Sequence, residues 1–282
     1  MEIVRSDIEA KKILTEAQGY LNVGFTHSLN PYSGCAFACK YCYVRELPVQ
    51  KFKEEPWGTW LNVKVNAAAN YRKEIMNLRR RNKPVRIFMS SATDPYQPLE
   101  REAGITRSLL MEMLEHPPDS LQLQTRGTLV TRDLDLLLQL KERCELVVSM
   151  TVETDREDVK RIFAPLAPGI KLRLKALREL HDAGIKTQAA ISPVLPFTPD
   201  FPKLLEGIVD RIWIDTLSIG DGSLGKRSER LGMRQLFAEH DLSGWYDDDL
   251  HIKVVKYFRK FYPVEMIRVS RKQAFPVTIL PR

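Results

Sequence analysis

The chain contains no run of about 18 uninterrupted apolar residues, so nothing in it is built to cross a bilayer as a helix. It has no low-complexity tract, no Gly/Ser linker and no internal repeat, which excludes flexible linkers, collagen-like rods and solenoids. Four cysteines in 282 residues are too few for a disulfide scaffold. The five histidines (His27, His116, His181, His240, His251) are scattered without metal-ligand spacing. The start, MEIVRSDIEAKKIL, carries charges where a secretion signal places its apolar core, so a cytoplasmic protein without membrane contact is expected.

What remains is ordinary globular composition, 44% hydrophobic and 28% charged, in a chain long enough to bury about three quarters of its unfolded surface as one domain. The 43 basic and 36 acidic residues give a net charge of +7, and the excess is local. Eight Lys/Arg lie between Lys64 and Arg86 against Glu74 alone, and seven between His251 and Lys272 against Glu265 alone. Such runs either hold phosphates or form solvated helix faces, which makes nucleic acid one expected partner.

From residue 80 onward, short apolar runs alternate with helical patterns. Strands are expected over 85–89, 121–130, 146–152, 186–192 and 209–219, and helices over 105–114, 134–140, 170–180 and 200–208. Thr154-Asp155-Arg156-Glu157 reads as a capping box. With a strand before the cysteines this makes about six βα units and a parallel sheet. Six is short of the eight that close a barrel, leaving a partial (β/α) barrel or an open doubly wound sheet, both with chemistry at the C-terminal ends of the strands.

Three thiols fall within eight residues in Asn30-Pro31-Tyr32-Ser33-Gly34-Cys35-Ala36-Phe37-Ala38-Cys39-Lys40-Tyr41-Cys42-Tyr43, spaced C-x3-C-x2-C on a Gly/Pro-rich loop. A closed zinc site wants four N/S ligands, and no second C-x-x-C or H-x-x-x-H supplies the fourth; Cys144 is isolated and reads as a core cysteine. An iron–sulfur cubane has four iron corners, so three cysteines leave one iron open to an outside ligand.

At these residues the chain resembles the radical S-adenosylmethionine (SAM) superfamily, whose hallmark is C-x3-C-x-aromatic-C. Within it the chain is similar to the spore photoproduct lyase-like family, through N-P-Y-x-G-C-x-x-x-C-x-Y-C-Y at residues 30 to 43 and T-D-P-Y-Q-P at 93 to 98. The resemblance implies an α/β fold, a partial (β/α)6 barrel over residues 25–220, with an N-terminal extension over 1–24 and a C-terminal extension over 221–282 packed on it. It implies a [4Fe-4S] cluster on Cys35, Cys39 and Cys42, and SAM bound to the open iron. It further implies an electron donor such as a reductase, flavodoxin or ferredoxin, and a 5′-deoxyadenosyl radical that abstracts hydrogen from a substrate. The two basic runs favour DNA or RNA, through repair or modification, over a peptide or small molecule as the substrate.

Several further residues take roles from the same likeness. Ser90 and Ser91 meet the SAM amino group, although Asp94 beside them fits an Asx turn equally well. Arg126 meets the SAM carboxylate, and Tyr41 packs near adenine, as does Ser192-Pro193-Val194-Leu195-Pro196. Tyr43 is the candidate for hydrogen-atom transfer. Ser149, Thr151 and Glu153 alternate with apolar residues and so share one strand face; three polar groups inside a barrel need partners, which the SAM ribose and carboxylate would provide. The chain departs from the lyase at Phe88-Met89-Ser90-Ser91, where the lyase carries a hydrogen-donating cysteine, so a relative acting on another substrate is expected. The competing expectation is a non-catalytic nucleic-acid-binding protein with a structural metal knuckle.

Overall fold

The computed structural model describes residues 3–269. Six strands, β1 (His27–Leu29), β2 (Arg86–Met89), β3 (Ser120–Thr125), β4 (Glu145–Thr151), β5 (Thr187–Ile191) and β6 (Arg211–Ile214), lie side by side in chain order, all parallel. A further strand, β7 (Ile267–Val269), adds parallel to β6, and Leu14–Glu16 adds antiparallel to β1 at the opposite edge. Residues from β2 through β7 line one cavity, so the sheet is curled, and its two edges do not meet among the described residues. This is the partial (β/α)6 barrel.

The strand pattern explains the layering. Along β3 burial alternates, with Leu121 and Leu123 at most 1% exposed on the outer side and Gln122 and Gln124 lining the cavity. The outer side carries the core, where Leu109, Leu110 and Met113 of α2 (Ile105–Glu115) pack with Tyr71 and Ile75 of α1 (Ala67–Arg80). Leu137 and Leu140 of α3 (Leu134–Leu140), Leu177 and Leu180 of α4 (Ile170–Asp182), and Val254 and Phe258 of α5 (Leu250–Phe258) continue the same cluster. Burying the apolar face outward leaves the polar residues inward, so the barrel holds a cavity in place of a packed interior.

Several local expectations are corrected. The strand expected over 121–130 stops at Thr125, because Gly127 presses on the Tyr96 backbone where no side chain fits, and Thr128–Asp133 forms a 3-10 turn. The strand expected through 219 ends at Ile214, and Leu217–Gly220 is a helical turn. The helix expected over 200–208 is one turn, Phe201–Leu204. No capping box forms: the Thr154 hydroxyl donates to the Pro196 carbonyl, and helix Glu157–Phe163 starts without a side-chain cap. At Gly127 and Thr154 a tertiary partner outcompetes the local pattern.

The flanking segments join the sheets. Val4–Ile8 pairs parallel with Trp60–Lys64, which pairs antiparallel with Tyr32–Ser33, and this small sheet sets Trp60 beneath the cysteine loop. Arg271, Lys272 and Pro276 lie outside the described residues. No helix among the described residues is long and apolar enough to cross a membrane.

Candidate active site

The cysteine loop leaves β1 at its C-terminal end, the end where a parallel barrel gathers its chemistry. At Gly34 the backbone is left-handed, φ +86°, and the Trp60 carbonyl occupies the place a Cβ would take, so only glycine lets the loop approach the small sheet. The motif at residues 93 to 98 clamps the loop from the other side. Thr93 donates its hydroxyl to the Gly34 carbonyl, and the Gln97 Oε1 accepts the Ala36 N–H at 2.8 Å. Asn30 closes the frame by accepting the Ala92 N–H at 2.9 Å.

Cys35, Cys39 and Cys42 are free thiols lining the cavity. Burial pushes all three up, Cys42 to about 11, so without a metal they rest as thiols. No group of three or more His, Cys, Asp or Glu among the described residues is placed to hold a single metal ion. Three thiols on one loop suit a cubane, which takes its ligands at separate corners and leaves one iron open.

Two side chains from beyond the strand ends, Arg126 and Glu153, reach the loop. Arg126, just beyond β3, donates through Nη1 to the Cys39 Sγ at 2.9 Å, the Tyr41 hydroxyl at 2.7 Å and the Glu153 Oε1 at 2.6 Å. Its backbone N–H donates to Asp94 at 2.8 Å, and Asp94 also accepts from Thr125 and from the Tyr96 N–H, so the Asx turn and the placement of Arg126 are one device. Glu153 receives Tyr41 on one oxygen and Arg173 of α4 on the other, at 2.6 Å. Burial pushes Glu153 up, but Arg173 and Arg126 outweigh it and bring it down to about 2.

The remaining candidates divide. Ser90 carries a left-handed backbone, φ 74°, and a buried hydroxyl without a hydrogen-bond partner, and it lines the cavity. Ser91 lines it as well, its carbonyl accepting the Tyr43 hydroxyl at 2.6 Å. Thr151 faces the cavity with its hydroxyl held by Gln124 at 2.7 Å. Ser149 shares that strand face but is fully covered, its hydroxyl held by Gln188 at 2.8 Å, and Glu153 is enclosed by its own partners. Cys144 lies at the opposite end of β4 against the outer core.

Sequence reasoning missed three members. Trp57 lines the cavity within the small cluster against which Cys35 and Cys42 pack, its buried indole N–H unpartnered among the described residues, and Gln97 was part of the 93–98 motif with no role of its own. Arg173 sits in a Lys/Arg-rich stretch that reads as a solvated helix face, yet it is 0% exposed. The basic run from Lys64 to Arg86 is broken up: Lys64 is half-buried and donates to the Asn30 carbonyl, Arg79 pairs with Asp119, and Arg86 lines the barrel cavity.

An open-cornered cluster with SAM fits these donors: three thiols, and with them on the cavity lining a buried hydroxyl and an indole N–H that have no partner among the described residues. The Radical SAM superfamily profile matches residues 29–206. An uncharacterized protein of Methanocaldococcus jannaschii, MJ0683, is 32% identical over 198 residues, 70% of this chain and 69% of that one. An uncharacterized protein of Mycobacterium bovis is 26% identical over 210 residues, and the match spans 60% of its length. A spore photoproduct lyase variant superposes with a TM-score of 0.65 at 15% identity, covering 95% of this chain and 82% of that one, a likeness of fold.

Proposed function

We propose, because this chain belongs to the radical SAM superfamily, that it is a radical SAM enzyme whose Cys35, Cys39 and Cys42 hold a [4Fe-4S] cluster with SAM on the open iron. When bound, that group supplies one-electron cleavage of SAM and, through it, hydrogen-atom abstraction from a substrate carbon. The observation that carries the reading is the contact of Arg126 with Cys39 at the head of a cavity of about 440 Å3 lined by all three thiols.

The chain's own residues divide the remaining work. The Thr93 and Gln97 clamp fixes the loop, so that the three sulfurs are presented without reorganisation. Ser90 and Ser91 offer a hydroxyl and a bent backbone to the SAM ammonium. Arg126 has one nitrogen committed to Cys39, Tyr41 and Glu153, and its other donors serve the SAM carboxylate. Thr151 is the polar group of its strand offered to the ribose, while Ser149 and Glu153 act behind it by holding Gln188 and Arg126. Tyr41 closes the loop side. Tyr43, anchored on the Ser91 carbonyl, is the residue we assign to hydrogen transfer near the substrate. A ferredoxin, flavodoxin or reductase supplies the electron, and nucleic acid is the substrate class the net charge of +7 favours.

Purification without oxygen tests this directly. A brown protein with about four iron and four sulfide per chain, releasing 5′-deoxyadenosine from SAM after reduction, is the expected outcome. A colourless protein holding one zinc would overturn it.

A further inference from the structure

The lower end of the same cavity is chemically unlike the cysteine end. The opening residues of four strands line it: Arg86 of β2, Ser120 of β3, Glu145 of β4 and Arg211 of β6; Arg268 of β7 joins them. Three guanidinium groups and one carboxylate leave a formal charge of +2 on the floor of a half-buried chamber.

None of the three arginines forms an ion pair among the described residues. Arg86 donates to the Gly24 carbonyl at 3.1 Å, and Arg268 to the carbonyls of Glu265 at 2.6 Å and Ile267 at 3.2 Å. Arg211 makes no hydrogen bond or ion pair among the described residues. Burial pulls Arg211 down and Arg268 pulls it further, against smaller opposing effects of Glu145 and Asp210. Arg211 and Arg268 repel one another in a partly enclosed space that Arg86 also lines, while Glu145 is exposed and the Asp210 carboxylate is taken up by Thr187, so the floor keeps an excess of positive charge. Trp213, in register beside Arg268, and Phe88 form apolar walls above.

We propose that Arg86, Arg211 and Arg268 form a phosphate-binding subsite that holds the phosphate group of the substrate at the barrel floor while its reacting carbon faces the cysteine end. Guanidinium forks match phosphate oxygens in pairs, and a phosphate monoester near −2 balances the floor. The distance is a selection rule. From Arg86 to Ser90 the strand climbs four residues, roughly 13 Å at about 3.3 Å per residue, so the phosphate and the reacting carbon lie far apart in an elongated substrate. The inference rests on the catalytic reading of the upper end.

The test is equilibrium binding of inorganic phosphate to the reconstituted full-length protein at fixed ionic strength. One saturable site is expected, weakened about tenfold or more in Arg211→Gln and in Arg268→Gln, with iron content and SAM binding unchanged. Absence of saturable binding, or equal affinity in both variants, would overturn the proposal. On the unaltered protein, phenylglyoxal modification of Arg211, mapped by mass spectrometry, is expected to slow with phosphate and not with chloride; no protection overturns it too. Competition by a mononucleotide or sugar phosphate identifies a small substrate, and competition only by an oligonucleotide a backbone phosphate; either supports the subsite. Loss of iron without loss of phosphate binding in Cys35→Ala separates failure of the upper site from failure of the floor.

Discussion

Arg126 lies within 2.9 Å of the Cys39 sulfur while its backbone is pinned by Asp94 at 2.8 Å, so the turn after β2 and the cysteine loop after β1 are tied through one residue of β3's end. Three strand ends thereby act as one rigid rim, which is what a site needs when its loops must hold reacting groups to within a fraction of an ångström.

Replacing Cys35, Cys39 or Cys42 by Ala should each abolish iron retention, whereas Cys144→Ala should keep it, because Cys144 sits against the outer core away from the cavity. Iron and sulfide analysis of anaerobically reconstituted protein decides. Full iron in any of the first three variants would remove the cluster from this loop.

Gln97→Leu should loosen the loop without touching a thiol. It deletes the acceptor of the Ala36 N–H, a fully buried bond at 2.8 Å, and an orphaned buried donor costs about 1–3 kcal/mol. The expected signature is faster iron loss to a chelator at unchanged initial stoichiometry. Iron release at the wild-type rate would mean the loop is held elsewhere.

The barrel was legible because its signals are local: the apolar runs of β2 to β6 and the helix over 134–140 follow from periodicity, and the C-x3-C-x2-C spacing is contiguous. The polar face of Ser149 and Thr151 followed from period two in the same way. What stayed hidden depends on distant partners. Arg173 is buried because Glu153, twenty residues earlier, neutralises it, and nothing within α4 signals that. Trp57 gains its place from a cluster with Trp60 and Val44 against which the cysteine loop packs, and Val4–Ile8 becomes a strand only by pairing with Trp60–Lys64. Lys64 and Arg79 looked like members of a basic face, but each has a partner more than thirty residues away.

Glu153 makes the site pH-sensitive. Its carboxyl lies at about 2 in the folded chain against 4.5 for an ordinary glutamate, a depressed value. Stability from this group is therefore fully present above pH 4.5 and is lost as pH falls through 4.5 toward 2. The size is about 3 kcal/mol, taking each unit of difference as about 1.4 kcal/mol. Urea midpoints of wild type and Glu153→Gln should differ most at neutral pH and converge on acidification. A gap that stays constant from pH 6 to about 2.5 would show that the ion pairs with Arg126 and Arg173 are not coupled to folding.

Arg126→Ala should reduce both stability and SAM affinity. It leaves Tyr41 and Cys39 without their donor, but Glu153 keeps Arg173, so the cost falls near the low end of the range for a broken buried pair, about 3 kcal/mol. SAM binding should weaken by roughly 1.5–3 kcal/mol if the remaining donors hold the carboxylate. Thermal melting and a SAM titration read the two effects separately. A destabilised variant with unchanged SAM affinity would confine Arg126 to supporting the loop.

Nucleic-acid affinity is bounded by what the surface leaves free. Of the eight basic residues from Lys64 to Arg86, Lys64 is half-buried and tied to the Asn30 carbonyl, Arg72 lies 3.8 Å from Glu112, Arg79 pairs with Asp119 at 2.6 Å, and Arg86 faces the cavity. Lys73, Arg80, Arg81 and Lys83 remain exposed without an ion pair among the described residues. If this face meets duplex DNA, the slope of log affinity against log salt from these four is no steeper than about −3.6, at about −0.9 per neutralised phosphate. Arg80→Glu with Arg81→Glu should weaken binding to all sequences alike and flatten the slope by about two units, with the fold intact because neither holds an acidic partner. Extending the reversal to Arg79 should also lower stability, since Asp119 would then face a like charge. A wild type that binds neither DNA nor RNA at low salt would make this run a solvated helix face and direct the substrate search to small phosphorylated molecules.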